Sequence, residues 1–240
     1  MPWIFQTYLN VIERLFTARL IILGFCAAAA AANATDNLSS AEKASGWKML
    51  FDGATFQGWQ GSRSQAPASG WTIADGALTR TGDAGDLVTV GEFGDFELSL
   101  EWKIGARINS GIIYRVGING SSTFETGPEY QILDDEHIRE SPTHLTGALY
   151  DLVAPSKNAS YPVGEWNATR IVVRGWKIEH WLNGEKIIDC DLASPEGKLL
   201  ISRSKFATMP GFATFRRGHI ALQDHGGYVS FRHIKIRELD

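Results

Sequence analysis

Residues 96–102 read Phe-Glu-Leu-Ser-Leu-Glu-Trp, an unbroken alternation that puts Phe96, Leu98, Leu100 and Trp102 on one face and Glu97, Ser99 and Glu101 on the other. Such a period of two belongs to a strand with one buried face, because successive side chains of an extended backbone point to opposite sides. Comparable runs recur at 71–78, 111–116, 129–133, 169–173, 177–182, 219–223 and 229–236, with Gly, Asn and Asp between them. Between Trp181 and Ile188 the pair Asn183-Gly184 marks a hairpin, since both residues tolerate the positive φ of a tight antiparallel turn. From Trp47 onward no stretch of useful length shows helical period, and no repeat is visible. Short strands at regular spacing predict an all-β sandwich or barrel, and the missing repeat argues against a propeller.

The first residues read differently. Arg14 and Arg19 precede the apolar run 20–26, which leads into the alanines 27–32 and then Ala32-Asn33-Ala34. Positive charge, a short apolar segment and a small-residue exit together make a secretory leader over 1–34. The 13 residues of 20–32 are too few for a membrane anchor, which needs about 20, so no stable span is expected once the leader is cleaved. Residues 35–46 are small and polar and read as a flexible linker. One domain over 47–240 remains. It keeps a single cysteine, Cys190, and therefore no internal disulfide. Export without disulfides points to a periplasm, with full secretion as the alternative, and a domain of this length can bury its core unaided.

Charge narrows the partners. A formal net charge of −4 without a basic block leaves nothing to track a phosphate backbone, so nucleic acid is not expected. Eight Trp, six Tyr and twelve Phe fit both a sandwich core and sugar stacking. Phosphate loops, HExxH, CxxC and GxSxG elbows are missing. Ser202-Arg-Ser-Lys205 matches SxxK, but its SDN and KTG companions are missing too, and the match is set aside as chance.

The informative positions are polar residues on strands whose other face is apolar. Glu97 and Glu101 share one face; Glu129 and Gln131 share another, with Tyr130 and Ile132 pointing away. Carboxylates at that spacing can serve as acid, base or hydroxyl partners, or they can form the wet face of an antiparallel sheet. His180 should face opposite to Trp181. His225, between Asp224 and Gly226-Gly227, sits where a strand ends and suits proton transfer near neutrality. His144 is a third histidine of interest. The scattered histidines lack metal-ligand spacing, and no cofactor is required, although Asp134 in the acidic run 134–136 leaves room for a divalent cation. Arg115, closing an apolar strand, could pair with Glu101 or Glu129.

Several motifs occur together in one order: Leu50-Phe-Asp-Gly53 with Gly58-Trp59, Gly94 to Trp102, Asn109-Ser-Gly-Ile-Ile-Tyr-Arg115, and Glu129-Tyr-Gln-Ile-Leu-Asp134. Thr146-Gly-Ala-Leu-Tyr150, Gly164-Glu-Trp-Asn167, His180-Trp-Leu-Asn-Gly184, Gly218 to Gly226 and Phe231 to Arg237 complete the set. Together they cover nearly all of 47–240 and resemble the 3-keto-disaccharide hydrolase family, also described as 3-keto-glucoside lyases and hydratases. Arg232-His233 stands where that family more usually has Arg-Asn. The resemblance implies a two-sheet antiparallel jelly roll of the concanavalin A-like lectin and glucanase type. It implies cleavage, on a concave sugar-facing sheet, of glycosides already oxidised at C3, alongside a sugar 3-oxidoreductase. A ketone at C3 acidifies the C2 hydrogen, so a base can remove it and the C1 substituent can leave; water addition then completes net hydrolysis.

For that chemistry Glu101, Glu129, His144 and His225 are the candidates for proton transfer. Arg115, Gln131, Asn167, His180 and Gln223 are candidates for orienting polar groups, and Tyr150 or Trp166 for an apolar platform. A non-catalytic carbohydrate-binding module and a two-carboxylate glycosidase using Glu101 and Glu129 are the alternatives.

Overall fold

A computed structural model describes residues 37–64, 66–67, 69–117 and 122–239; the leader assigned to 1–34 lies outside them. Thirteen strands follow in order: β1 (Lys48–Met49), β2 (Trp59–Gly61), β3 (Trp71–Ala74), β4 (Ala77–Arg80), β5 (Leu87–Thr89), β6 (Phe96–Ile104), β7 (Asn109–Val116), β8 (Glu129–Leu133), β9 (Asn167–Arg174), β10 (Lys177–Leu182), β11 (Glu185–Asp191), β12 (His219–Leu222) and β13 (Val229–Glu238). They form two antiparallel sheets. The larger runs β11-β10-β9-β6-β13-β4-β3 with β1 paired to β13, and the smaller runs β2-β5-β12-β7-β8. This is the expected two-sheet jelly roll.

The alternation in β6 does what its period requires. Phe96, Leu98, Leu100 and Trp102 are buried between the sheets against Ile112, Tyr114, Tyr130 and Ile132 of β7 and β8. Full burial of each such side chain is worth ~1.5–3 kcal/mol. Asn183 and Gly184 take φ 49° and 85° at the β10–β11 turn, the conformation that this dipeptide tolerates best. The run 71–78, read as one strand, folds back at Asp75-Gly76, with φ 50° and 71°, into the β3–β4 hairpin. Residues 229–236 form one strand with a bulge, where His233 takes φ 52°.

Helical segments went undetected in the sequence because they are short. Within the stretch read as a flexible linker, α1 (Ser40–Ala44) carries a capping box between Ser39 and Glu42, and Glu42 reaches Lys235 of β13. The second helix, α2 (Pro195–Arg203), is capped by Ser194 with Pro195 in its first turn. It leads into a 3-10 turn, Lys205–Thr208, and that turn matters for the site.

Candidate active site

The face of the smaller sheet that points away from the core carries a cleft. Its floor follows from strand parity. Tyr130 and Ile132 of β8 enter the core, so Glu129 and Gln131 take the other face. By the same parity Gly111 and Ile113 of β7 share that face with Ala221 of β12 and Gln223 just beyond it. Val88, Ile113, Val116 and Ala221 make a small apolar cluster there, covered by Phe124. Phe124 lies in the 3-10 turn Thr123–Glu125.

Two cavities open over this floor. One of about 190 Å³ is lined by Asn109, Phe124, Glu129, Gln131, Tyr150, Lys205, Gln223 and His225. The other, of about 450 Å³, shares Phe124, Gln223 and His225 and continues past Asp86, Asp224, Arg63 and Ser122.

Glu129 is the central group. Its side chain is buried, with 4% of the residue's surface exposed. It fits because residue 111 is glycine: a Cβ there would lie 2.3 Å from Glu129 Oε1. With its amide nitrogen turned towards Glu129, Gln131 donates to Oε1 at 3.1 Å and to Ser110 O at 3.2 Å. Burial pushes the Glu129 carboxyl up from an ordinary 4.5 to about 8; the Lys205 charge and the Gln223 amide work against that rise, and the Asp86 charge adds to it. With that value the side chain is protonated at neutrality and ionises just above it. Among the described residues, Gln223 Oε1, itself buried, has no hydrogen-bond partner.

Lys205 reaches the cleft from the turn after α2. Its Nζ lies 4.2 Å from the Tyr150 ring centre and 5.2 Å from each of Phe124 and Phe206. Among the described residues no carboxylate stands within ion-pair distance of that amine. Loss of solvent lowers the Lys205 pKa, while Glu129 and Asp151 hold it up. Behind Tyr150, His144 stacks at 4.4 Å and 11°. His144 Nε2 lies 2.9 Å from Asp151 Oδ1, and Asp151 Oδ2 accepts from the Lys205 backbone at 2.8 Å. Asp151 thus ties the histidine stacked on Tyr150 to the lysine that overhangs that ring.

The structure brings Glu129, Gln131, Tyr150, Gln223 and His225 together and places His144 one layer behind. It does not bring the other candidates to this cleft. Glu101 is on the outer face of the larger sheet, 2.7 Å from Arg232 Nε and 3.3 Å from His233 Nδ1. Burial works to raise its pKa, but those two partners hold the carboxylate below its ordinary value. Glu101 and Glu129 occupy different sheets, so they cannot form a carboxylate pair. Trp166 lies on the same outer face, under Arg232 at 4.0 Å and Lys103 at 4.8 Å.

Arg115 pairs with neither glutamate. Its φ of 54° turns the side chain towards Gly94 O, Gly175 O and Asp95, at 2.9, 2.5 and 2.7 Å from its terminal nitrogens. His180 does face opposite to Trp181, but that direction is the core, where it meets Tyr114 Oη and Gly147 O at 2.9 Å each. Burial lowers its pKa to about 4 and keeps it neutral. Asn167 accepts from Tyr161 N and Asn183 Nδ2 at 2.7 and 2.8 Å, beside a separate cavity that also includes Asp134. The oxygens of Asp134 accept from the backbone N–H groups of Arg107, Glu136 and His137.

Sequence reasoning missed Lys205, Asn109, Phe124 and Asp86. Asn109 and Gly111 stood inside a recognised motif without roles, and Lys205 was visible only as the end of a chance SxxK.

Taken together, the molecule is a jelly-roll sandwich with a polar, aromatic-walled cleft on its smaller sheet. Residues 46–237 match the family model described as the 3-keto-alpha-glucoside-1,2-lyase-like domain, and the chain belongs to that family. It is similar to a 3-keto-disaccharide hydrolase of Bacteroides thetaiotaomicron, 31% identical with 85% of this chain and 82% of the relative covered. Two crystal structures of putative glycosyl hydrolases from Parabacteroides distasonis are also similar. One is 34% identical with a TM-score of 0.81, over 86% of this chain and all of the other. The second is 28% identical with a TM-score of 0.66, over 80% and 99%.

Proposed function

We propose that this chain is a carbohydrate enzyme that cleaves 3-keto-glycosides in the cleft on its smaller sheet, by elimination across C1–C2 followed by hydration. The observation that carries this reading is Glu129, a buried carboxyl lining the cleft with Gln131, Gln223 and Lys205, raised to ionise just above neutrality. A base removing a hydrogen next to a ketone serves best when its pKa lies close to ambient pH. In this scheme Glu129 takes the C2 proton and the bonding pair moves towards C3, leaving negative charge on the ketone oxygen. The Lys205 ammonium faces that oxygen and stabilises the enolate. As the C3 carbonyl re-forms, the bond from C1 to the outgoing oxygen breaks, and His225 supplies that oxygen with a proton. Water then adds across the enone: its oxygen bonds to C1 while His225 takes back a proton, and Glu129 returns its proton to C2. Tyr150, backed by His144, is the sugar platform, and Gln131 and Gln223 hold hydroxyls. A sugar 3-oxidoreductase would have to supply the ketone.

The test is a comparison of aglycone release from a glucoside and from its 3-keto counterpart. Release from the ketone alone is expected, with kcat/KM rising with pH as Glu129 ionises with an apparent pKa near 8. Release from both substrates would instead favour a glycosidase, and binding without release a carbohydrate-binding module.

A further inference from the structure

We infer that Asp151 is a positioning residue: it sets where the Lys205 ammonium stands relative to the Glu129 carboxyl. The dipeptide Tyr150-Asp151 runs between those two groups. Tyr150 N donates to Glu129 O at 3.0 Å, which fastens one end of the dipeptide to the strand that carries the carboxyl. At the other end Asp151 Oδ2 accepts from Lys205 N at 2.8 Å. The backbone of Lys205 is thereby hung from the backbone of Glu129. That tie crosses the fold, whereas neighbouring bonds of the 3-10 turn are local: Phe206 N and Ala207 N donate to Ser204, and Met209 N to Phe206 O. The lysine needs such an anchor. It is exposed, its stem is a flexible chain of methylenes, and its amine rests against aromatic faces. Where Nζ stands over Tyr150 is therefore decided by where the backbone is held.

Asp151 is itself held firmly. Its φ of 59° is a left-handed conformation that Asp tolerates better than most residues, and its N–H donates to Thr143 O at 3.0 Å. The second carboxylate oxygen meets His144 Nε2 at 2.9 Å, and His144 Nδ1 faces Glu140 Oε2 at 3.3 Å. Both oxygens are engaged, so the carboxylate cannot turn from Lys205 without also breaking its bond to the histidine. Burial works to raise the Asp151 pKa, but the Lys205 N–H and His144 hold it below its ordinary value. The acceptor therefore stays ionised over the range in which Glu129 titrates.

The consequence for turnover rests on the proposed function: base and oxyanion partner must meet C2 and C3 of one ring, and a misplacement of ~1 Å can cost up to ~100-fold in rate. The test follows the lysine itself. Reductive methylation with isotope-enriched formaldehyde labels the amines for NMR, and the Lys205 signal is the one that Lys205→Met removes. In the wild type the Tyr150 ring current should displace that signal from those of other exposed lysines. Asp151→Gly tolerates the left-handed backbone and removes the carboxylate. It should return the signal to the ordinary lysine position and lower kcat on a 3-keto-glycoside about tenfold, with KM little changed. Asp151→Asn, whose amide oxygen can still accept from Lys205 N, should keep the signal displaced and retain most of the rate. In the Lys205→Met background Asp151→Gly should cost nothing further, because a residue that acts through the lysine has nothing left to place. An unmoved signal in Asp151→Gly, or a rate loss that adds to that of Lys205→Met, would overturn the inference. Asp151→Ser, too short to reach Lys205 N, supplies the same readings if the glycine variant does not fold. A wild type without turnover would refute the proposed function, and the lysine signal would still decide whether Asp151 holds Lys205.

Discussion

Replacing Glu129 with Gln should make the protein more stable in alkali while abolishing turnover. Burial raises the carboxyl from 4.5 to about 8, so across that interval the folded chain keeps a proton that the unfolded chain has already released. Stability then falls as pH rises, because the native state binds more protons than the unfolded state. At ~1.4 kcal/mol per tenfold change, the penalty is ~1 kcal/mol at pH 5, ~3 kcal/mol at pH 7 and approaches ~5 kcal/mol at pH 9. Glutamine has nearly the same shape and no charge to desolvate. The stability difference between variant and wild type should therefore move by ~4 kcal/mol in the variant's favour from pH 5 to pH 9, equivalent to ~8–16 °C in Tm for a chain of this size. Urea unfolding followed by tryptophan fluorescence at several pH values measures it directly. Taking the difference cancels groups common to both proteins, such as Asp86, whose pKa burial also raises. A difference that does not vary with pH would refute the reasoning: the carboxyl would then be solvated, and its fitness as a base near neutrality would go with it.

Gly111→Ala should lower kcat by at least ~100-fold with unchanged circular dichroism, because the new methyl drives Glu129 from its place and misplaced catalytic groups lose rate steeply. Lys205→Met should lower kcat by a similar ~100-fold through the lost oxyanion partner, with KM little changed in steady-state assays. Glu101→Gln should leave kcat/KM untouched and shift stability by less than ~1 kcal/mol, since its ion pair with Arg232 is partly exposed. His180→Phe should leave turnover per folded molecule intact but cost ~2–4 kcal/mol in urea unfolding, by orphaning Tyr114 Oη and Gly147 O. It should also remove a loss of stability as pH falls from 6.5 towards 4, the window in which the unfolded histidine is protonated and the buried one is not.

The strands were legible because each carries its own evidence: β8 and β10 end at the residues that alternation marks, and Asn183-Gly184 turns as its composition requires. The site was legible only in part. Alternation tells that Glu101 and Glu129 oppose apolar faces, but it does not tell which sheet a strand joins. That is decided by pairing with residues far along the chain, β6 with β9 and β13, β8 with β7. Arg115 and His180 failed for related reasons. A positive φ re-aimed the first, and the second obeyed its parity but met tyrosine and a carbonyl in the core rather than substrate. Lys205 was out of reach because its position depends on a short helix and turn, whose placement over the sheet is a matter of packing.

Both ends of the described chain belong to the larger sheet: β1 pairs with β13, and α1 is fastened to the same strand through Glu42 and Lys235. The cleft opens from the other sheet. Fusion partners, affinity handles or a surface linkage attached before α1 or after β13 would therefore leave from the back of the molecule. An immobilised or displayed form would present its open face to passing sugars without redesign.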